Sequence, residues 1–412
     1  MRQSALLLLL VAPLDALLAQ QPATRRDSAG IALVQNAPPR AGDQTPFVVA
    51  SAPRVQIGRE DSATYQFNGI TSATKLRNGD ILVADQGSAE LRIFGPLGQF
   101  KDALGRRGDG PGEFRALSFA WESRGDTVRA WDSQGIGTSF GPGRPAVVRT
   151  FRFHSSESER PFAAGLVRGI PPESALFAYR LARASIPVGN SVTRDTMVVE
   201  RYTASGMLLG SVGRFLGLEV LQGGGGSIPS PAGETQGGFF SRTGVPFARE
   251  ALLRTGRRGL YVVSADGTGQ IARYDTSGRL TMIIRSGRSP RPVTPEMIRQ
   301  HRLEPRGPMS FARPNVSTSI ASGLYPTSLP VYSAILVDPS DRIWLRLHPV
   351  PGESLSRWDV IDDAGNMLGT VSMPPAFELL EVGNTYVLGV WRDDLDVEHV
   401  REYPLSRTTT TQ

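Results

Sequence analysis

Six times along this chain one order of segments returns: an apolar run, a polar turn, a second run, a turn built around glycine, and a further run. The clearest copy is Asn78–Gly105. There Ile81–Ala84 and Glu90–Phe94 read as strands joined through Asp85–Ala89, Gly95–Gly98 as the glycine turn, and Phe100 as the start of a third strand. The looser copies are GDTVRAWDSQ with PAVVRTFRF, RDTMVVERYTASGMLLGSVG, Arg258–Gly287, SDRIWLRLHPVPGESLSRWDVIDDAGNMLGTV, and Phe377–Leu405. In three copies the second turn is nearly the same: Asp275–Arg279, Asp362–Asn366 and Thr203–Met207. Glycine supplies the positive φ that such a turn needs, and Asp or Thr bonds the backbone two residues on, so these acids are turn makers. A Ca²⁺ loop would need oxygen ligands at alternate positions and a distal glutamate, which none of the three provides.

A repeat of strands and turns at a spacing of about 60 residues specifies small antiparallel sheets that stack to share a core. The 45 glycines and 31 prolines are scattered through the 412 residues, which suits many turns and excludes a helical bundle. The expected fold is all-β, a six-bladed β-propeller over residues 47–405 with two long loop insertions. The first insertion, Gly213–Arg257, carries the Gly223–Gly226 run and reads as a flexible loop. The second, Ser286–Pro330, holds a short helix in which Thr294 is the N-cap and Pro295 the first residue. Residues 20–46 read as a linker containing one strand, 31–36, and residues 406–412 as a disordered tail.

The N-terminus carries a positive start at Met1-Arg2, an apolar run from Ala5 to Val11 and a cleavage site near Ala19, which predicts a secretory signal over residues 1–19 and a periplasmic or secreted protein. No later segment is long and apolar enough to span a bilayer. Without cysteines the fold is held by its core alone. The net charge of +6 and pI near 9.9 come from dispersed arginine, with Lys75 and Lys101 the two lysines, so nucleic acid is not the expected partner. The expectation is a monomer that meets a protein, peptide or glycan ligand.

Asn78–Phe114, running from GD-I-L-V-A-D through L-R-I-F to GRRGDGPGEF, resembles an NHL-type repeat, and the whole chain resembles the exported bacterial six-bladed propellers related to that family. The resemblance implies that the glycine-rich stretch connects the outer strand of one blade to the inner strand of the next, on the face that usually carries the binding surface. It makes Gly105, Gly108, Gly110, Pro111, Gly112 and Phe114 structural, with the phenylalanine packed between blades. A phosphate loop is disfavoured, because Pro111-Gly112-Glu113 stands where Gly-Lys-Ser/Thr and a helix start would be needed. A tight turn does not require Arg106 and Arg107, which are the candidate ligand-binding residues for an acidic partner.

Catalytic signals are weaker. Gly137–Gly141 (GTSFG) fits a nucleophile-elbow spacing, but Pro142-Gly143 blocks the helix that the elbow requires, so Ser139 reads as a loop residue. His154, His301, His348 and His399 lack close partners in sequence, although a propeller can gather distant residues at its axis. The acidic run Asp393–Glu398 reads as an exposed connection, and the five tryptophans as core. The function expected is an exported binding module without a cofactor. The alternative is a metal-dependent hydrolase or lyase, of lactonase or amidating-lyase type, with a divalent metal in the central channel. Finally, a ring must tie its ends together, and Ile31–Val34 is expected to pair with the strand around His399–Tyr403.

Overall fold

The computed structural model describes residues 23–39, 45–59, 61–123, 126–141, 147–153, 165–169, 175–182, 191–224, 228–229, 235–236, 240–303 and 325–407. The signal expected over residues 1–19 and His154 lie outside them. Among these residues the chain is a propeller of antiparallel sheets with one α-helix.

The N-terminal part gives β1 (Thr24–Ser28), β2 (Ile31–Gln35), β3 (Phe47–Val49) and β4 (Val55–Ile57), which join sheets built later in the chain. Next come two four-stranded sheets. The first is β5 (Ile70–Lys75), β6 (Ile81–Asp85), β7 (Glu90–Phe94) and β8 (Phe100–Leu104). Short parallel pieces β9 (Arg106–Arg107) and β10 (Glu113–Phe114) lead to the second: β11 (Leu117–Glu122), β12 (Val128–Asp132), β13 (Ile136–Phe140) and β14 (Val147–Arg152). The third sheet has five strands: β15 (Gly165–Leu166), β16 (Leu176–Ala182), β17 (Ser191–Tyr202), β18 (Leu208–Gly224) and, after the small ladder β19 (Ile228–Pro229) and β20 (Thr235–Gln236), β21 (Phe240–Gly244).

The fourth sheet contains β22 (Leu252–Gly256), β23 (Gly259–Val263), β24 (Ile271–Asp275) and β25 (Leu280–Arg285), extended by β2 and β1. Helix α1 (Pro295–Leu303) follows, and the amide of Met297 donates to Thr294 Oγ1 at 3.2 Å, the cap read from the sequence. The fifth sheet is β26 (Tyr332–Val337), β27 (Ile343–Leu347), β28 (Arg357–Ile361) and β29 (Met367–Ser372). The sixth is β30 (Phe377–Val382), β31 (Tyr386–Arg392) and β32 (Glu398–Arg407), with β3 and β4 both paired to β32.

The first strands of the sheets stand around one axis. β5 lies against β11 and β30, β22 against β26, and β26 against β30. A parallel bridge ties Gly169, just after β15, to Thr255 in β22. Each interface is filled by apolar residues of two neighbouring sheets: Leu82 and Leu91 meet Leu117 and Phe140, and Trp344 and Trp358 meet Phe377 and Tyr403. Burial of this kind, at about 25 cal/mol per Å², is the main force holding a chain without disulfides together. Trp121, Trp131, Trp344 and Trp358 are all buried, and Trp391 is half-buried beneath the Arg401 guanidinium.

The turns behave as their residues require. Asp275 Oδ1 accepts from the amides of Ser277 at 2.9 Å and Arg279 at 3.0 Å, Asp362 Oδ1 from Ala364 and Asn366, and Thr203 Oγ1 from Ser205 and Met207, while Gly278, Gly365 and Gly206 all hold positive φ.

Four readings need correction. Ile31–Gln35 does not join the C-terminal strand; it runs parallel to β25, with Ala32 opposite Met282 and Gln35 opposite Arg285. There Val34 is buried among Met282, Ile284, Ile343 and Ile361, and the Asn36 amide group donates to the carbonyls of Arg285 and Gly365. The strands that pair with β32 are β3 and β4, which follow the proline-rich segment instead of preceding it. The supposed linker is therefore partly built into the fold: Val34 fits the apolar slot beside β25, while Phe47, Val55 and Ile57 fill the one beside β32. Gly213–Arg257 is not a single flexible loop: β18 runs to Gly224 as a long partner of β17. Ser406 and Arg407 belong to β32 and not to a tail, pairing with Val48 and Phe47. Ser139 lies inside β13, opposite Arg129 and Arg149, and not in a loop.

Candidate functional site

The first strands enclose an axial cavity of about 1620 Å³. Its wall is formed by β5, β11, β22, β26 and β30, and by the segment after β15. On β5 the lining continues past the strand into Leu76, Arg77 and Gly79, on β11 into Ser123, and on β30 into Gly383–Thr385. The cavity thus opens toward the ends of the inner strands. Six cations line it, Lys75, Arg77, Arg129, Arg168, Arg254 and Arg257, against the three carboxylates Glu122, Glu378 and Glu381.

Half of that wall is self-paired. Lys75 Nζ donates to Glu402 Oε2 at 2.8 Å, a carboxylate fully enclosed behind the strand, which also receives Arg54. Arg77 lies 3.8 Å from Glu122. Glu381 accepts from Thr74 Oγ1, from the Lys75 amide at 3.1 Å and from the Tyr386 hydroxyl at 2.6 Å. Burial pushes the Glu381 carboxyl above its ordinary pKa, against the opposing pull of those donors and of Arg254. Burial raises the Tyr386 phenol as well, reinforced by the Glu381 charge.

Arg168 and Arg254 differ. Arg168 reaches from the third sheet to the Thr71 carbonyl at 3.1 Å and the Ser118 carbonyl at 3.0 Å, on two other sheets, with its guanidinium over the Phe119 ring. Arg254 reaches from β22 toward the Leu380 carbonyl of β30 at 3.5 Å, and its shielded Nε has no acceptor. Neither has a carboxylate within ion-pair distance among the described residues. Burial lowers the pKa of both, and the Arg168 charge adds to the effect at Arg254, which is drawn down to about 9; a guanidinium at that value still carries its charge at neutral pH.

The residues singled out in the sequence lie at the opposite end. The connector Gly105–Phe114 enters β11 at its start, whereas the cavity opens where the inner strands finish. Gly105 and Gly112 hold φ of 81° and 80°, Gly108 lies at 155°, and the Gly110 amide donates to Glu113 Oε2 at 2.8 Å. A Cβ on Gly105 would run into the Phe114 ring. Phe114 is buried between the first two sheets against Phe140, and Pro111 is exposed. Arg106 is paired with Glu113 at 2.6 Å, and Arg107 donates to the Gly87 carbonyl at 2.8 Å, so both arginines have partners within the connector's surroundings.

Two histidines that look isolated in sequence do meet. His301 of α1 and His348 both pack on Phe247, and His301 Nδ1 lies 3.1 Å from the Tyr325 hydroxyl. His399 is bound to Asp393 at 3.2 Å, and Asp393 also accepts the amides of Leu395 and Val397, so the acidic run is a folded turn. No three His, Cys, Asp or Glu side chains converge as a metal site among the described residues, and no described helix is long and apolar enough to cross a membrane. Sequence reasoning passed over Arg168 and Arg254. The available signal was a lone arginine inside a short apolar strand before glycine, in GLVRG and ALLRTG.

No family model matches the chain, and no curated protein does. Among solved structures it is similar to a protein of Bacteroides fragilis described as exported, at 10% identity and TM-score 0.48, with 91% of this chain and 99% of that one covered. It is similar also to a member of the DUF4221 family from Bacteroides vulgatus, at 8% identity and TM-score 0.47, with 88% and 99% covered. A streptogramin B lyase aligns at 11% identity and TM-score 0.38, with 87% and 98% covered.

Proposed function

We propose that this chain is an exported, six-bladed, NHL-repeat-like propeller that binds a peptide, protein or glycan ligand, and that the ligand enters the open end of the axial cavity. The observation that carries this reading is the wall itself: a cavity of about 1620 Å³ lined by strands of the ring, with more cations than carboxylates. Rigid inner strands hold such a wall in place before a ligand arrives, which lowers the ordering cost of binding. The propeller count rests on the six large sheets, and export on the apolar N-terminal run Ala5–Val11. The earlier alternative, a metal-dependent hydrolase or lyase, would draw its ligands from the same channel, and no histidine lines that wall among the described residues. Arg106 and Arg107, held by Glu113 and the Gly87 carbonyl on the other face, take no part in this site.

The test is a thermal-shift screen of the purified protein against paired neutral and acidic oligosaccharides and peptides. Acidic compounds are expected to raise Tm more than their neutral counterparts. Uniform silence across both sets overturns the reading, and conversion of a compound into product transfers the protein to the enzyme class.

A further inference from the structure

We infer that Arg254, with Arg168 beside it, is a receptor for a ligand carboxylate inside the axial cavity; this rests on the binding reading above and narrows it to an acid. Several cations that the protein encloses are each held by a counter-charge. Arg92 is held by Asp85 and Glu90, Arg288 by Asp359, Arg342 by Asp338, and Lys75 by Glu402, each with a carboxylate at 3.5 Å or closer. Enclosing a charge without a counter-charge is costly, which is why these pairs exist.

Arg168 and Arg254, like Arg129 on the same wall, lack such a carboxylate among the described residues, and these two stand near each other. Both point across the cavity, neither bonds a carboxylate among the described residues, and Arg254 has one weak bond at 3.5 Å and an Nε with none. The nearby carboxylates are engaged elsewhere, Glu381 by Thr74, the Lys75 amide and Tyr386 and Glu378 by Arg392, and neither lies within ion-pair distance of Arg168 or Arg254. A guanidinium with free donors takes a carboxylate through two parallel bonds, a geometry that a spherical ion does not exploit. Arg168 is anchored by three donor contacts and adds field from behind. Apolar residues such as Leu379 and Leu380 also form part of the wall near them.

A stability consequence follows that a structural arginine would not have. With no ligand present, Arg254 has no paired carboxylate among the described residues, only the field of Glu381 against burial and the Arg168 charge, so R254M should melt no lower than the wild type.

The experiment measures thermal shift and calorimetric binding with succinate, with trigalacturonate and with sodium sulfate, all at constant ionic strength, on wild type, R254M, R254Q, R254K and the R106Q/R107Q pair. Both carboxylates are expected to stabilise the wild type beyond sulfate. A stronger effect of succinate assigns the site to small free acids, and a stronger effect of trigalacturonate to sugar acids. R254Q should weaken carboxylate binding about tenfold or more, R254K by less, and the R106Q/R107Q pair not at all. The inference is overturned if neither carboxylate exceeds sulfate, if R254Q binds like the wild type, or if R254M melts well below it or fails to fold. Should other compounds from the screen bind with affinity indifferent to R254Q, the carboxylate receptor fails while the binding function stands; if nothing binds at all, both fail.

Discussion

Two pairs of arginines, one on a connector and one in the lumen of the same ring, are treated in opposite ways. Arg106 has a side chain 78% exposed, yet it sits on Glu113, and Arg107 sits on the Gly87 carbonyl. Arg168 and Arg254 are half-buried in the lumen, where a partner matters more, and the fold supplies none with a negative charge. The difference teaches that exposure is a poor guide to a binding cation. A surface arginine settles on whatever acceptor the turn provides at little cost or gain. An enclosed one is either matched by the fold or left for something else to match.

The largest effect should come from breaking a matched pair. Glu402 is fully enclosed and serves both Arg54 and Lys75, so E402A is expected to lose about 3–5 kcal/mol in chemical denaturation. A loss below about 1 kcal/mol would mean that enclosed charges here do not need partners, and the contrast with Arg254 would collapse.

Next is the connector's backbone. Gly112→Val places a branched residue at φ 80° and should cost about 1–3 kcal/mol without any ligand. An unchanged Tm would show that the loop has freedom to relax and that its glycines are not what fixes Phe114.

A smaller effect is expected from pH. Burial raises the Glu381 pKa above that of the unfolded chain, so the folded state holds its proton more tightly, and the stability from this group falls as pH rises from the ordinary carboxylate range through the raised value. Asp85, Asp341 and Glu250 shift the same way, also through burial, so the readout is the difference between wild type and E381Q. The E381Q melting temperature should gain on the wild type as pH increases across that window; a constant gap overturns this account.

The smallest effect belongs to R106A/R107A, which should stay within about 1 kcal/mol of the wild type because exposed pairs contribute so little. A larger loss would place these arginines among the structural ones.

The strand-and-turn order was readable because it is local. Asp275, Asp362 and Thr203 act on backbone within four residues, and a glycine that needs positive φ is bound to its own turn. The capped helix after Thr294 is local in the same sense. What escaped depends on distant chain. Ile31–Gln35 is a short apolar run that many sheets could accept, and only the slot formed by Met282, Ile284 and Ile361 decides where Val34 goes. Likewise nothing near Arg254 in sequence says that the carbonyl opposite it belongs to Leu380, 126 residues later. The histidines, spread through the chain, gave no hint that Phe247 would stand between two of them.

The placement of the N-terminal strands also sets an order of events in time. Asn36 bonds to partners 249 and 329 residues further on, and Arg54 to one 348 residues further on. During synthesis at about 5–20 residues per second, these early strands wait on the order of tens of seconds before their sheets exist. The fourth sheet accepts β2 well before the sixth can accept β3 and β4, so the chain is stitched in the middle first and closed last. Such long-range closure makes folding slow and leaves β32 with a bare edge until the final step, when it is most open to pairing with another copy. A helper that covers that edge, or quick capture of β3 and β4, would set the yield of folded protein more than the stability of the finished ring does.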